Sequence, residues 1–145
     1  MKEKLKEDLI KAMKDKDKEV LNTLRGLKGA VQLEVINNKK DETDELIMDT
    51  ITKQIKMREA SIEEFKKAGR EDLVASYQNE IEILKRYMPK ELTTLEVENM
   101  IDELFEKLNP TSIKDLGSIM KEITPKVKNK FDMKKLNEMI RERLN

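Results

Sequence analysis

The stretch Tyr87-Met88-Pro89-Lys90-Glu91-Leu92-Thr93-Thr94-Leu95-Glu96-Val97 decides how this chain is divided. Pro89 cannot continue a helix, because it lacks an amide donor and its ring clashes with the preceding turn. Four residues later, Thr93 to Glu96 has the spacing of a capping box. The Thr93 hydroxyl accepts from the Glu96 amide, and the Glu96 side chain reaches back to the cap. Leu92 and Val97 occupy the two positions of a hydrophobic staple across it. One helix ends here and another begins.

Upstream of this break, apolar residues recur at helical spacing. Leu5, Leu9, Ala12 and Met13 form a short first stripe, and Asp15 or Asp17 can cap a second helix. The second stripe is Val20, Leu21, Leu24, Leu27, Val31 and Val35. Thr43 can cap a third helix, with Asp44 and Glu45 where the helix dipole favours acids. Its stripe runs Ile47, Ile51, Ile55, Ile62, Phe65, and Gly69 comes next as a left-handed C-cap. A fourth stripe, Leu73, Tyr77, Ile81, Leu84 and Met88, runs up to Pro89.

Downstream, Val97, Met100, Ile101, Leu104, Phe105 and Leu108 share a face, and Asn109-Pro110-Thr111 ends that helix. Ser112 and Asp115 begin a sixth helix on Ile113, Leu116, Ile119, Met120 and Ile123, which Pro125 breaks or kinks. Asp132 can cap a last helix through Leu136, Met139, Ile140 and Leu144, with Phe131 and Leu136 as its staple pair. The expectation is an all-α chain. Long antiparallel helices form an N-terminal domain over residues 1–90, and a small three-helix domain covers residues 91–145.

Composition supports this. Charged residues make up 41% against about a quarter in ordinary domains, and only three Phe and two Tyr are present. Such a chain suits helices with wet charged faces and lacks the residues sheets favour. The 30 basic and 30 acidic residues cancel, which excludes a globally basic nucleic-acid binder but not a basic face. With no Cys and no His, thiolate chemistry, zinc–thiolate sites and the commonest general base are absent, so no metal site and no cofactor is expected. Asp41 to Glu45 lacks the glycine and spacing of a calcium loop. No apolar run reaches the roughly 18 residues of a membrane span. The charged start, Met1 to Asp8, lacks a signal-peptide core, so a cytoplasmic location is expected.

Charge is uneven near the C-terminal end. Residues 95–108 carry five acids against Lys107, whereas residues 124–135 carry Lys126, Lys128, Lys130, Lys134 and Lys135 against Asp132. Lysines beside helix N-terminal amides can hold a phosphate backbone, though charge runs are more often simply solvated.

Three blocks then resemble the YqeY family. They are Ile55-Lys56-Met57-Arg58-Glu59-Ala60-Ser61-Ile62 through Phe65 to Gly69-Arg70-Glu71-Asp72-Leu73, then Glu80 to Leu84 with Tyr87 to Leu92. The third is Asp115-Leu116-Gly117-Ser118-Ile119-Met120 with Pro125-Lys126-Val127-Lys128, similar also to the tail of the GatB amidotransferase subunit. The resemblance spans essentially the whole chain. It implies a larger N-terminal and a smaller C-terminal helical domain, and a helper role in tRNA-dependent amidotransfer or aminoacylation. The implied RNA-binding residues are Gly117, Ser118, Lys121, Lys126, Lys128, Lys130 and Lys134. Two departures stand out: the family usually has a basic residue at Ser118, and glycines at Asn129 and Met133.

Other residues carry two readings. Gly117 serves either close approach of an RNA backbone or tight packing against the fifth helix. Arg25 and Arg58 bind phosphate or form helix-surface ion pairs. Phe131 stacks on a base or staples the last helix, and Met100, Met120, Met133 and Met139 fill the core or face a partner. No nucleophile-elbow glycines surround any Ser and no GxxxxGK loop exists, so the chain is not expected to be an enzyme. Any carbon–nitrogen ligase activity with glutamine as amido donor would belong to a complex.

The leading expectation is a non-catalytic accessory module that binds tRNA. The alternative is an adaptor docking on an aminoacyl-tRNA synthetase or amidotransferase partner. A third is an enzyme active only with a glutaminase in trans.

Overall fold

A computed structural model describes residues 1–145 as seven α-helices with no strand. The helices are α1 Lys2–Lys14, α2 Lys18–Asn38, α3 Asp44–Lys67, α4 Glu71–Lys85, α5 Thr94–Leu108, α6 Leu116–Val127 and α7 Met133–Leu144. A 3₁₀ turn, Ile113–Asp115, leads into α6. The chain gathers into two compact units, Met1–Met88 and Pro89–Asn145.

In the first unit the caps fall on the residues that favour them. The Asp17 carboxylate accepts from the Val20 amide at 3.3 Å, and the Thr43 hydroxyl from Leu46 at 3.1 Å. Gly69, at φ 71°, closes α3: its N–H donates to Lys66 O at 3.2 Å, and the Arg70 N–H to Phe65 O at 2.9 Å. Lys16 performs the same turn at φ 55° without being glycine, at a cost of about 1 kcal/mol.

The apolar stripes meet as one core of Leu5, Leu24, Leu27, Val31, Ile47, Ile51, Ile83, Leu84 and Tyr87. A smaller cluster joins α3 to α4 through Ile62, Val74 and Ile81, beside an edge-to-face Phe65–Tyr77 pair with centroids 5.2 Å apart. Arg58 lies between these two helices. It donates to Gln54 Oε1 at 2.7 Å and pairs with Glu80 at 3.7 Å, so it makes an ion pair within the fold.

The fourth helix stops at Lys85, three residues before its apolar stripe does. Arg86, Tyr87 and Met88 donate to the carbonyls of Ile83, Leu84 and Lys85 at 3.3, 3.2 and 3.1 Å. These tighter i→i+3 bonds use up the last carbonyls before Pro89.

In the second unit Val97, Ile101 and Leu104 of α5 pack against Ile119, Ile123 and Val127 of α6 and Leu136 and Ile140 of α7. The Thr93 cap differs in detail from its expected form. Thr93 Oγ1 accepts from the Glu96 amide at 3.1 Å, but the Glu96 carboxylate takes the Thr93 hydroxyl proton at 3.2 Å. A reciprocal box forms instead at Ser112, where Asp115 accepts from the amides of Thr111 and Ser112 at 2.8 and 3.2 Å. Pro125 does not break α6, which continues to Val127. Pro125 lies in the last turn, so only one ladder bond is forfeited before the helix ends. Phe131 is part of the second core, as its staple position implies.

Candidate functional site

The basic segment folds into a tight turn from the C-terminus of α6 to the N-terminus of α7. Lys128 caps α6 with extended backbone, and Asn129 then takes a left-handed conformation at φ 64°. A glycine would occupy that conformation without cost, and Asn is among the few other residues that tolerate it. The Lys130 N–H donates to Val127 O at 2.9 Å, closing the turn. Asp132 then caps α7 by accepting from the Lys134 amide at 2.9 Å.

This turn is seated on the start of α5. The Leu92 N–H donates to Lys130 O at 2.8 Å, and Lys135 Nζ donates to Thr94 Oγ1 at 3.0 Å. Lys135 also lies over the Phe131 ring, 5.6 Å from its centroid. The positive dipole ends of α5 and α7 therefore flank one short stretch of chain, with the negative end of α6 at Lys128 between them. The first turn of α7 carries no acid and bears Lys134 and Lys135, the sign the dipole disfavours. Exposed Lys128, Lys130 and Lys134 project from this end. It can attract an anion through charge and amide dipoles.

The remaining expected residues divide into two further places. Gly117, Ser118 and Lys121 are exposed on one side of α6. Gly117 lies in the first turn of that helix, about 16 Å along the axis from Lys128. A Cβ on Gly117 would meet nothing within 4 Å, which removes the reading of tight packing against α5.

Lys126 stands about 140° around α6 from Lys121. It lines a shallow groove of about 120 Å³ with Glu103, Lys107 and Glu122, where two acids balance two bases. The seven residues thus do not form one patch; Lys128, Lys130 and Lys134 do share one end. Lys135 was not among the expected residues. Its signal in the sequence was its place beside Lys134 just after the Asp132 cap. On the acidic α5, Asp102 pairs with Arg143 of α7, whose guanidinium lies 5.7 Å from the Phe105 ring centroid.

The chain matches the family described as Yqey-like protein over residues 2–144. It is similar to altered inheritance of mitochondria protein 41, mitochondrial, of Pyrenophora tritici-repentis, 34% identical over 94% of this chain and 79% of that protein. The namesake proteins of Kluyveromyces lactis and Lachancea thermotolerans are 43% and 36% identical over 57% and 77% of this chain. Those alignments span 45% and 63% of the two proteins' own lengths. These names correct the expected cytoplasmic location, since all three relatives are named as mitochondrial proteins. The charged start from Met1 to Asp8 bears only on a secretory-type apolar core, and that criterion does not separate cytoplasm from mitochondrion. No helix is long and apolar enough to cross a membrane. With a match running from residue 2 to residue 144, the chain belongs to the Yqey-like protein family.

Proposed function

We propose that this chain is a non-catalytic accessory module that binds tRNA through the basic end of its C-terminal unit. The observation that carries this reading is the Leu92–Lys130 hydrogen bond, which sets Lys128, Lys130 and Lys134 beside the N-termini of α5 and α7. Helix N-termini and lysines together suit phosphate oxygens. The resemblance of Asp115 to Met120 and Pro125 to Lys128 to the GatB tail points to tRNA as the RNA, and to an amidotransferase or aminoacyl-tRNA synthetase as the system served.

Binding is weak and indifferent to tRNA identity, because phosphate contacts position without reading sequence. With about three lysines on phosphates, the log–log salt slope is roughly −2 to −3. The test is unfractionated tRNA titrated into purified protein at two salt concentrations. Lys128→Glu, Lys130→Glu and Lys134→Glu together should abolish binding with helicity intact, and reversals at Lys2, Lys4 and Lys6 should do much less. Absence of binding at low salt, or affinity untouched by the triple reversal, ends this reading.

The adaptor reading draws on exposed Leu95 (65%) and Ile113 (43%) in the same unit. A partner protein, rather than RNA, would then be the ligand lost on Leu95→Asp.

A further inference from the structure

Helix α2 has an apolar face that nothing in its own unit covers. Leu33 and Ile36 are 59% and 72% exposed, while Leu24, Leu27 and Val31 on the other side are buried in the core. Gly26 and Gly29 fall on the same side as Leu33 and Ile36: at about 100° per residue the four span about 80° of arc. A Cβ on either glycine would meet nothing within 4 Å. Neither glycine admits a neighbouring helix of its own chain, yet each costs the helix roughly 1 kcal/mol relative to alanine.

The spacing of these four residues is self-complementary. Gly29 and Leu33 are equally distant from residue 31, and so are Gly26 and Ile36. When two α2 helices cross antiparallel about that point, Leu33 and Ile36 of each copy meet Gly29 and Gly26 of the other. The contact is isologous, which is what a closed two-fold dimer requires. A parallel pairing would set Leu33 against Leu33.

Charge fits the antiparallel arrangement as well. It brings Lys40, just past the C-terminal end of one α2, within about a turn of Glu19 near the N-terminal end of the other.

Beside this face, α1 exposes Ile10 at 41% and Met13 at 47%, and Arg25 Nη2 donates to Met13 Sδ at 3.7 Å. Two short helix faces cover less than the roughly 800 Å² per partner of a standard interface, which suits a weak contact. We propose that this face is the contact between two copies of the chain, an antiparallel dimer through α2 of micromolar affinity.

Sedimentation of the full chain from about 5 to 500 µM tests the dimer, since that range brackets a micromolar constant. The expected result is a concentration-dependent rise to twice the monomer mass. Gly29→Leu should weaken association by ~10-fold or more, about 1.4 kcal/mol, while helicity holds and the thermal midpoint does not fall, because the monomer has room for the side chain and leucine is the better helix former. Leu33→Asp, at an exposed site, should do the same.

The register is tested by disulfides, since the chain has no cysteine of its own. A Gly29→Cys chain mixed with a Leu33→Cys chain should give the mixed disulfide in excess of either like pair. A single monomeric mass across the range, a mass unaffected by Gly29→Leu, or like pairs prevailing on oxidation would each overturn the proposal.

Discussion

The Tyr87 hydroxyl donates to the Asp8 carboxylate at 2.5 Å, joining residues 79 positions apart in the sequence. Lys4 stands over the same ring at 5.9 Å from its centroid and pairs with Asp8 at 3.5 Å. Helix α1 is thereby tied to the segment just after α4, which closes the first unit. Tyr87 belongs to the core and is only 8% exposed, so its polar tip needs this acceptor.

Tyr87→Phe should therefore lower the stability of the chain by about 1.5 kcal/mol, as read from urea unfolding, with little change in helicity. Burial, then the bond to Asp8, pushes the Tyr87 hydroxyl well above its ordinary pKa of 10.0, while the charge of Arg86 pulls the other way. The folded state holds that proton more tightly than the unfolded chain does. The contribution is complete below about pH 10 and is lost as pH climbs toward the folded value. A stability difference between wild type and Tyr87→Phe that failed to shrink above pH 10 would contradict this assignment.

Asp115 responds at the opposite end of the pH scale. Hydrogen bonds from the amides of Thr111 and Ser112 hold its carboxyl below the usual carboxylate range. Its contribution is present above about pH 4 and fades as pH falls through the folded value. Asp115→Asn should flatten the acid limb of a helicity titration between roughly pH 4 and 2. An unchanged acid limb would show that the turn before α6 does not depend on this charge.

Gly117→Ala should raise thermal stability, by up to about 1 kcal/mol, since alanine is the better helix former and its methyl enters open space. A destabilised Gly117→Ala protein would mean that a neighbour approaches this turn more closely than the structure has it.

Lys130→Glu should weaken RNA binding and change the log–log salt slope by about one, whereas Lys126→Glu should leave the slope nearly intact. Lys126 lies in a groove already balanced by Glu103, Glu122 and Lys107. Equal effects from the two reversals would mean that RNA covers both flanks of α6.

The helical class and most helix starts are legible in the order of residues, because those depend on neighbours three or four residues apart. Asp17, Thr43, Thr93 and Asp132 each cap the helix that their spacing announces. The centres of the stripes, Leu24, Leu27, Val31, Ile47, Ile51, Val97, Ile101 and Leu104, are buried, whereas Met13, Leu108 and Ile113 at stripe ends are exposed and the buried Thr23, Leu46 and Thr50 fall outside the stripes. The boundaries near Pro89 and Pro125 were less legible. A proline says that the ladder loses a donor, not whether the helix ends four residues earlier at Lys85 or two residues later at Val127. Which lysines stand together depends on how the helices pack. Lys126 and Lys128 are two residues apart, yet one lies in a neutral groove and the other at the turn seated on α5. The turn's position depends on the bond from Leu92 to Lys130 and on the contact of Lys135 with Thr94, across 41 residues in the latter case. Local spacing carries no information about such a contact, because it forms only when the apolar faces of α5, α6 and α7 close on one another.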